Sequence, residues 1–312
     1  MIESGHKISP YSFSWNGEMF DPFHERNICK ETLAAAASFH TENDREAGRR
    51  RIHLNSLLQR MPLKRNQLIA MTFDSKYSLL FKNWIASVDY HGISVRERCI
   101  VFPMDEESTE IAAQEGFFFV YDPESKILQF TGSAAVYGDQ EFAKHMLYQN
   151  AVISDLLACG VDLLFQDVDL VWINDPLPIL DTQTAHVNFM FDGVNHRHRP
   201  LHANTGFMLL RNSPETRAFW EIVHRRAEQV LSYRSQQEPL NKILGIVGKR
   251  GLRIKILDEY DFLNGHMVQL DTPKKLSLAD SFVVHCSWTA NIEKKYQKMD
   301  EHGLWFVDRD GP

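Results

Sequence analysis

The sequence predicts an α/β fold: a Rossmann-like, mostly parallel sheet flanked by helices, with an N-terminal helical extension. Three observations predict it. From Gln67 onward short apolar runs alternate with amphipathic stretches, the pattern of strands and helices covering a mostly parallel sheet. One such run, residues 161–166, ends in the acids of Asp167-Val168-Asp169, as suits a strand whose carboxyl end faces a site. The composition of residues 1–65 differs from that of the rest of the chain.

Residues 1–65 begin with an aromatic, Gly/Pro-punctuated stretch, continue through Ala-rich 33–39 and reach the basic Arg49-Arg50-Arg51. We read them as the helical extension and residues 66–312 as one continuous α/β domain. The basic triplet reads as a solvated helix face, with contact to an acidic partner the less favoured alternative. Expected strands follow at 67–73, 98–102, 117–121 and 161–166. Between the first two, Tyr77, Leu80, Phe81, Trp84, Ile85 and Val88 recur at helical spacing, as do the apolar positions of 142–157 before the fourth. The second half offers apolar runs at 187–191, 207–210, 254–257 and 282–284, and a long helix over 214–233. A His/Arg-rich loop lies at 195–202. No tandem repeat or low-complexity tract occurs.

At 312 residues, with 44% hydrophobic and 24% charged side chains, the chain can bury a large core. A net charge of -7 and a pI near 6.1 speak against a nucleic acid or an anionic membrane as main partner. Cys29, Cys99, Cys159 and Cys286 stand singly, which fits reduced thiols rather than a disulfide framework. No apolar run reaches the roughly 20 residues of a membrane span, residues 1–16 lack signal-peptide order, and no Asn-x-Ser/Thr sequon occurs. The expected location is the cytoplasm, or the Golgi lumen if an N-terminal anchor was removed.

Asp167 and Asp169 repel each other unless a cation joins them. Oxygen ligands suit Mg²⁺ or Mn²⁺, commonly completed by phosphates and water. A calcium EF-hand is excluded, because Val171 and Trp172 stand where it needs an acid and a Gly. A haloacid-dehalogenase-like phosphatase also places Asp-x-Asp at a strand end, but there the motif opens the core domain, whereas here three expected strands precede it. No Gly-rich phosphate loop is present, so phosphate charge must be met by a metal and lysine.

The run Asp167-Val168-Asp169-Leu170-Val171-Trp172-Ile173-Asn174-Asp175-Pro176 resembles the nucleotide-diphospho-sugar transferases of glycosyltransferase family 77, over roughly 67–298. Three further stretches agree in the same order. Asn204-Thr205-Gly206 resembles the family's Asn-x-Gly segment beside the donor sugar. Gln236-Gln237-Glu238-Pro239-Leu240-Asn241 resembles its Asp-Gln-x-x-Leu-Asn segment, with Gln236 departing from Asp. Val284-His285-Cys286-Ser287-Trp288, followed by Lys294 and Lys295, resembles its terminal His-x-Asn-aromatic segment, with Ser287 replacing Asn.

The resemblance implies a GT-A fold and a metal-dependent, retaining glycosyltransferase that moves a hexosyl or pentosyl group from a UDP-sugar to a glycan, glycoside or glycoprotein acceptor. It implies Asp169 first and His285 second as ligands of Mn²⁺ or Mg²⁺, Asp167 either as a further ligand or on the donor ribose, orienting the neighbouring acid, and Lys295, or Lys294 in another register, at the diphosphate. Thr72, Phe73, Asp74, Tyr77 and Asn83 resemble the nucleotide-base region. Asn204, Thr205 and Gly206 would adjoin the donor. Gln237 would present its amide oxygen to the reacting face, Gln236 would contact donor hydroxyls, and Asp192 and Glu238 are the acidic alternatives. A neutral amide is a poor covalent nucleophile, which weakens a double-displacement route. Trp172 and Trp288 read as packing residues, and His196, His198 and His202 as a polar loop able to line the acceptor cleft. The remaining alternative is a catalytically inactive nucleotide-sugar or glycan-binding module.

Overall fold

The computed structural model describes residues 12–23, 27–63, 67–129, 138–193, 201–269 and 278–307. A hairpin of β1 (Phe13–Trp15) and β2 (Glu18–Phe20) comes first, then helix α1 (Lys30–Leu58). The alternating half consists of β3 (Gln67–Phe73), α2 (Ser78–Tyr90), β4 (Cys99–Pro103), α3 (Glu106–Gln114), β5 (Phe118–Phe119), α4 (Lys126–Gln129), α5 (Gln140–Ala158) and β6 (Asp162–Gln166). Next come β7 (Leu170–Trp172), α6 (Leu177–Asp181), β8 (Val187–Phe191), β9 (Ala203–Leu210), α7 (Pro214–His224), α8 (Ala227–Tyr233) and α9 (Gln237–Val247). The chain continues through β10 (Ile254–Ile256), β11 (Phe262–Asn264), α10 (Gly265–Gln269), β12 (Val283–His285) and α11 (Ile292–Glu301).

The main sheet has the order β10-β8-β9-β6-β3-β4-β5. Its strands share one direction except β9, which runs antiparallel between β6 and β8. This is the mostly parallel, helix-flanked α/β architecture that the alternation predicts. All seven residues of β3 are buried, because helices cover both faces of the sheet and leave no solvated side to alternate with. A second sheet, β11-β12-β7, begins where the chain leaves β6 and crosses two acids.

The extension contains more than a helix. Asn16 and Gly17 take positive φ, 50° and 82°, the tight Asn-Gly turn that joins two strands. Trp15 Nε1 and Asn16 Nδ2 both donate to Arg250 O, at 3.0 and 2.8 Å. On α1, Ala36, Phe39, Asn43, Glu46, Ala47, Arg50, Leu54 and Leu57 are buried, a stripe at helical spacing of which Ala36, Phe39, Leu54 and Leu57 share one cluster with the sheet. Of the basic triplet only Arg50 is buried: Arg49 stays exposed and Arg51 half-exposed, as suits a solvated helix face, while Arg49 pairs with Asp122 at 2.8 Å and Arg50 and Arg51 both pair with Asp155 at 2.7 Å.

The helix expected over 214–233 breaks at Arg225 and Arg226 into α7 and α8, and Arg226 Nη2 donates to Ser12 O at 2.8 Å. The break brings α8 against α1. At that contact His224 is buried, and burial pushes its pKa down to about 3. Asn43, whose Oδ1 is taken by Arg50, offers its amide to His224 Nε2 at 3.0 Å. Folding therefore holds His224 neutral, whereas the unfolded imidazole gains a proton below about pH 6.5. Its stabilising contribution is complete above that pH and is lost as pH falls toward the folded value. Thermal melts should show His224→Phe losing less stability than wild type between about pH 7 and pH 5; equal losses would contradict this assignment.

Candidate active site

Strand β6 lies between β3 and β9 in the main sheet and delivers Asp167 and Asp169 at its carboxyl end. Backbone bonds fix each acid to a different sheet. Asp167 N donates to Gly206 O at 2.9 Å, tying it to β9, and Cys286 N donates to Asp169 O at 2.9 Å, tying it to the end of β12. Strand β12 pairs antiparallel with β7, His285 opposite Leu170. Val168 packs in the core between the acids. The two carboxylates and the imidazole thus converge at the seam of two sheets. His285 Nε2 lies 3.2 Å from Asp169 Oδ1 and 3.7 Å from Asp167 Oδ2.

One ligand atom from each of these residues falls within 4.8 Å of the others. That donor set fits a divalent cation that takes oxygen and imidazole. The backbone makes room for it: a Cβ at Gly206 would lie 2.2 Å from His285 Cε1 and 2.6 Å from Asp167 Oδ2. His285 Nδ1 is buried without a hydrogen-bond partner among the described residues.

Lys295 completes the cluster. It is carried by α11, whose first turn is capped by Asn291 accepting from Lys294 N. Its Nζ donates to Asp169 Oδ2 and, at 3.2 Å, to Cys286 O. Burial drives Asp169 toward its neutral form, but the charges of Lys295 and His285 outweigh it and hold the carboxyl well below the usual range. Asp167 lies farther from the lysine, and burial together with the Asp169 charge pushes it up to about 6. Burial opposes the charge on Lys295, yet Asp169 more than offsets this and raises its pKa. Lys294 points elsewhere, its Nζ on Gln297 at 2.9 Å, so the structure brings Lys295 and not Lys294 to the acids.

Around these residues opens a cavity of about 450 Å³. The β8–β9 register is irregular between Phe189 and Met190, and the extra β9 residues turn Thr205 and Gly206 toward Asp167. Asn204 Oδ1 accepts from Gly206 N at 2.8 Å, and its Nδ2 donates to Asp192 Oδ1 at 2.6 Å. Asp192 Oδ2 accepts from Gln237 Nε2 at 2.7 Å, and Gln237 Oε1 accepts from Thr205 N at 3.1 Å. The amide oxygen expected to face a substrate is therefore already engaged with the backbone, which leaves Asp192, 5% exposed, as the charged group on this wall. Gln236 is buried and donates to Gln149 Oε1 at 3.0 Å, while Gln149 Nε2 donates to Thr72 Oγ1 at 3.0 Å. Glu238, the other acidic alternative, also lines the cavity.

At the end of β3, Thr72, Phe73, Asp74 and Tyr77 line the same cavity. Phe73 stacks on Phe81 with centroids 4.3 Å apart. Burial raises the Asp74 carboxyl, whose oxygens have no hydrogen-bond partner among the described residues. Burial, and then the charges of Asp169, Asp74 and Asp167, raise the Tyr77 hydroxyl. Asn83 is not part of this wall: fully buried, it donates to Leu304 O at 2.9 Å and accepts from Phe306 N at 2.7 Å. Its place is structural, tying residues 304–306 to α2. Trp172 is packing, buried with Nε1 on Gln166 Oε1 at 3.0 Å. Trp288, expected to pack, is instead 48% exposed at the cavity. His202 reaches the cavity wall, and His196 and His198 lie outside the described residues. Gln149, which bridges Gln236 and Thr72, was missed by sequence reasoning; a polar residue inside the apolar pattern of 142–157 is the signal for it.

The family model of the nucleotide-diphospho-sugar transferases matches residues 94–299. Among curated proteins, the β-arabinofuranosyltransferase RAY1 of Arabidopsis thaliana is similar, 23% identical in a 277-residue alignment that covers 82% of this chain and 50% of that protein. The chain thus spans half the length of the curated relative it matches. Among solved structures, the galactosyltransferase LgtC in complex with donor and acceptor sugar analogs aligns at 13% identity with a TM-score of 0.46, over 78% of this chain and 97% of that one. Mouse xyloside xylosyltransferase 1 in its apo form aligns at 11% identity with a TM-score of 0.43, over 72% and 99%. Neither the phosphatase nor the binding-only alternative is favoured by these matches. Among the described residues no helix is long and apolar enough to cross a membrane.

Proposed function

The chain belongs to the nucleotide-diphospho-sugar transferase family, and on that premise we propose that it transfers a sugar from a UDP-sugar to an acceptor hydroxyl, with retention, on the GT-A plan of glycosyltransferase family 77. The observation that carries this reading is the convergence of Asp167, Asp169 and His285 at the seam of the two sheets, with Lys295 against them. Two acids, an imidazole and a buried ammonium in one cavity match the needs of a metal-bound diphosphate.

Breaking the bond between the anomeric carbon and the diphosphate leaves negative charge on the departing oxygen and positive character on the sugar. Asp167, Asp169 and His285 would hold Mn²⁺ or Mg²⁺, which as a Lewis acid supplies charge stabilisation at the diphosphate. Lys295 adds a second positive charge there. On the opposite wall Asp192 sets a carboxylate where positive character develops, and Asn204 and Gln237 fix its orientation by bonding one oxygen each. Gln237 acts through Asp192, as a positioning residue. Thr72, Phe73, Asp74 and Tyr77 would receive the nucleoside. The donor sugar is a pentose or hexose, and the likeness to an arabinofuranosyltransferase makes pentoses the first to try.

The test is a thermal-shift series with UDP, UDP-galactose, UDP-xylose and UDP-arabinofuranose, each with and without Mn²⁺, followed by proton NMR of the first-formed product. A ligand at a hundredfold excess over its dissociation constant stabilises by about 2.7 kcal/mol, so nucleotides should raise the melting temperature only when Mn²⁺ is present. Equal shifts without metal would remove the cation from the reading. A product of inverted configuration would remove retention.

A further inference from the structure

Trp288 stands apart from the other tryptophans. Trp84, Trp172 and Trp220 are fully buried, whereas Trp288 is 48% exposed. Its φ is +59°, a left-handed conformation that costs a bulky side chain steric energy and that glycine would adopt freely. Such a backbone persists only where its surroundings impose it, and here they do. Lys298, on α11, donates to Ser287 O at 3.0 Å and to Gly265 O at 3.1 Å. Gly265 N donates to Ser287 Oγ at 3.1 Å. A Cβ at Gly265 would lie 1.8 Å from Ser287 O, so the two segments touch backbone to backbone. The indole is held as firmly: Nε1 donates to Asp192 Oδ1 at 3.2 Å, and the ring lies against His266 with centroids 4.9 Å apart.

From this geometry we propose that the Trp288 indole is the platform on which the acceptor sugar stacks, a proposal that rests on the transferase reading above. The C–H face of a sugar ring is apolar and slightly positive, which suits the negative face of an aromatic ring, while its hydroxyls reach polar groups at the edge. Position separates acceptor from donor. Asp167, Asp169, His285 and Lys295 mark the diphosphate end, and the buried Asp192, Asn204 and Gln236 line the interior that suits the donor sugar. Trp288 is the exposed partner of buried Asp192, so a sugar arriving from solvent meets the indole first. Stacked there, its hydroxyl lies beside the carboxylate that faces the reacting carbon.

The test uses full-length protein with ¹⁵N-labelled indoles. Of the six tryptophan N–H signals, that of Trp288 is the one missing in Trp288→Phe. Methyl β-D-galactopyranoside, methyl β-D-xylopyranoside and methyl α-L-arabinofuranoside are titrated separately, with and without UDP–Mn²⁺. The Trp288 signal should shift saturably with at least one glycoside while the others stay in place. Trp288→Gly should keep its UDP–Mn²⁺ affinity within about twofold, since glycine takes positive φ without strain and the backbone of the segment can stay in place. It should bind the glycoside at least about tenfold more weakly, a factor worth 1.4 kcal/mol, and Trp288→Phe should retain most of the affinity. Absence of a selective shift with all three glycosides, or unchanged glycoside affinity in Trp288→Gly, would overturn the platform. Failure of wild type to bind UDP–Mn²⁺ would instead sink the transferase reading, and the titration without nucleotide still reports on Trp288.

Discussion

Asp169→Asn should abolish Mn²⁺-dependent UDP binding and lower turnover at least about a thousandfold, the upper end of what a single charge-stabilising group contributes. Asp169 carries two duties. Its carboxylate is one of three groups placed so that they could hold a metal ion, and it is also the buried partner of Lys295. An amide donates as well as accepts and has no charge to match the ammonium, so the variant leaves Lys295 unpaired. Breaking one side of a buried pair costs about 3 kcal/mol, which in a chain of this size lowers the melting temperature by roughly 4–5 °C. His285→Ala separates the two duties: it removes a ligand group but leaves the Lys295–Asp169 pair in place. Calorimetry with UDP and Mn²⁺ should find metal dependence lost in both variants, while melting curves fall mainly for Asp169→Asn. Wild-type metal dependence in both would remove the triad from the site.

Gly206→Ala should be nearly as damaging, although it adds only a methyl group. The new Cβ would sit 2.2 Å from His285 Cε1 and 2.6 Å from Asp167 Oδ2, distances at which something must move. Backbone conformation is not the reason, since Gly206 lies outside the positive-φ glycines; the close approach of β9 to the triad is. His285 is 3% exposed and sits at the end of a paired strand, so its ring cannot swing away into solvent. UDP affinity in the presence of Mn²⁺ should fall by at least about a hundredfold, as when the support of a metal ligand is removed. Gly245→Ala is the control, because its Cβ meets nothing within 4 Å and alanine favours a helix interior by roughly 0.5–1 kcal/mol. Unchanged metal-dependent binding in Gly206→Ala would mean that Gly206 does not sit against a functional triad.

The alternation of apolar runs with amphipathic stretches determined the α/β class, and most long elements lie where periodicity puts them, because burial on both faces writes a continuous apolar run for β3 and a 3.6-residue stripe for α2 and α5. The pair Asp167 and Asp169 was legible for the same reason: a buried strand ending in two acids is visible in one dimension. Some short elements were not. Strands β7 and β11 have three residues each, too few for a period to show, and they bring His285 to Asp169 across more than a hundred residues of chain. The hairpin at Asn16-Gly17 had its signal in that dipeptide, but aromatic residues around it masked the alternation.

What only the tertiary structure decided is which polar side chains face one another. Thr205 N and Asp192 engage the two ends of the Gln237 amide, a pairing that no local pattern shows. Lys294 and Lys295 differ by one position on α11, a rotation of about 100°, and only the docking angle of that helix selects Lys295. Asn83 reads as a site residue from its place after β3 but is consumed by the backbone at residues 304 and 306. Trp288 reads as a packing residue that shapes the site, yet the clamp of Lys298 on Gly265 and Ser287 leaves it exposed at the cavity. Sequence period reports which face of an element is buried, and it carried the fold and the strand that ends in two acids; the pairing of buried polar groups depends on distances between elements far apart in the chain, which no local pattern contains.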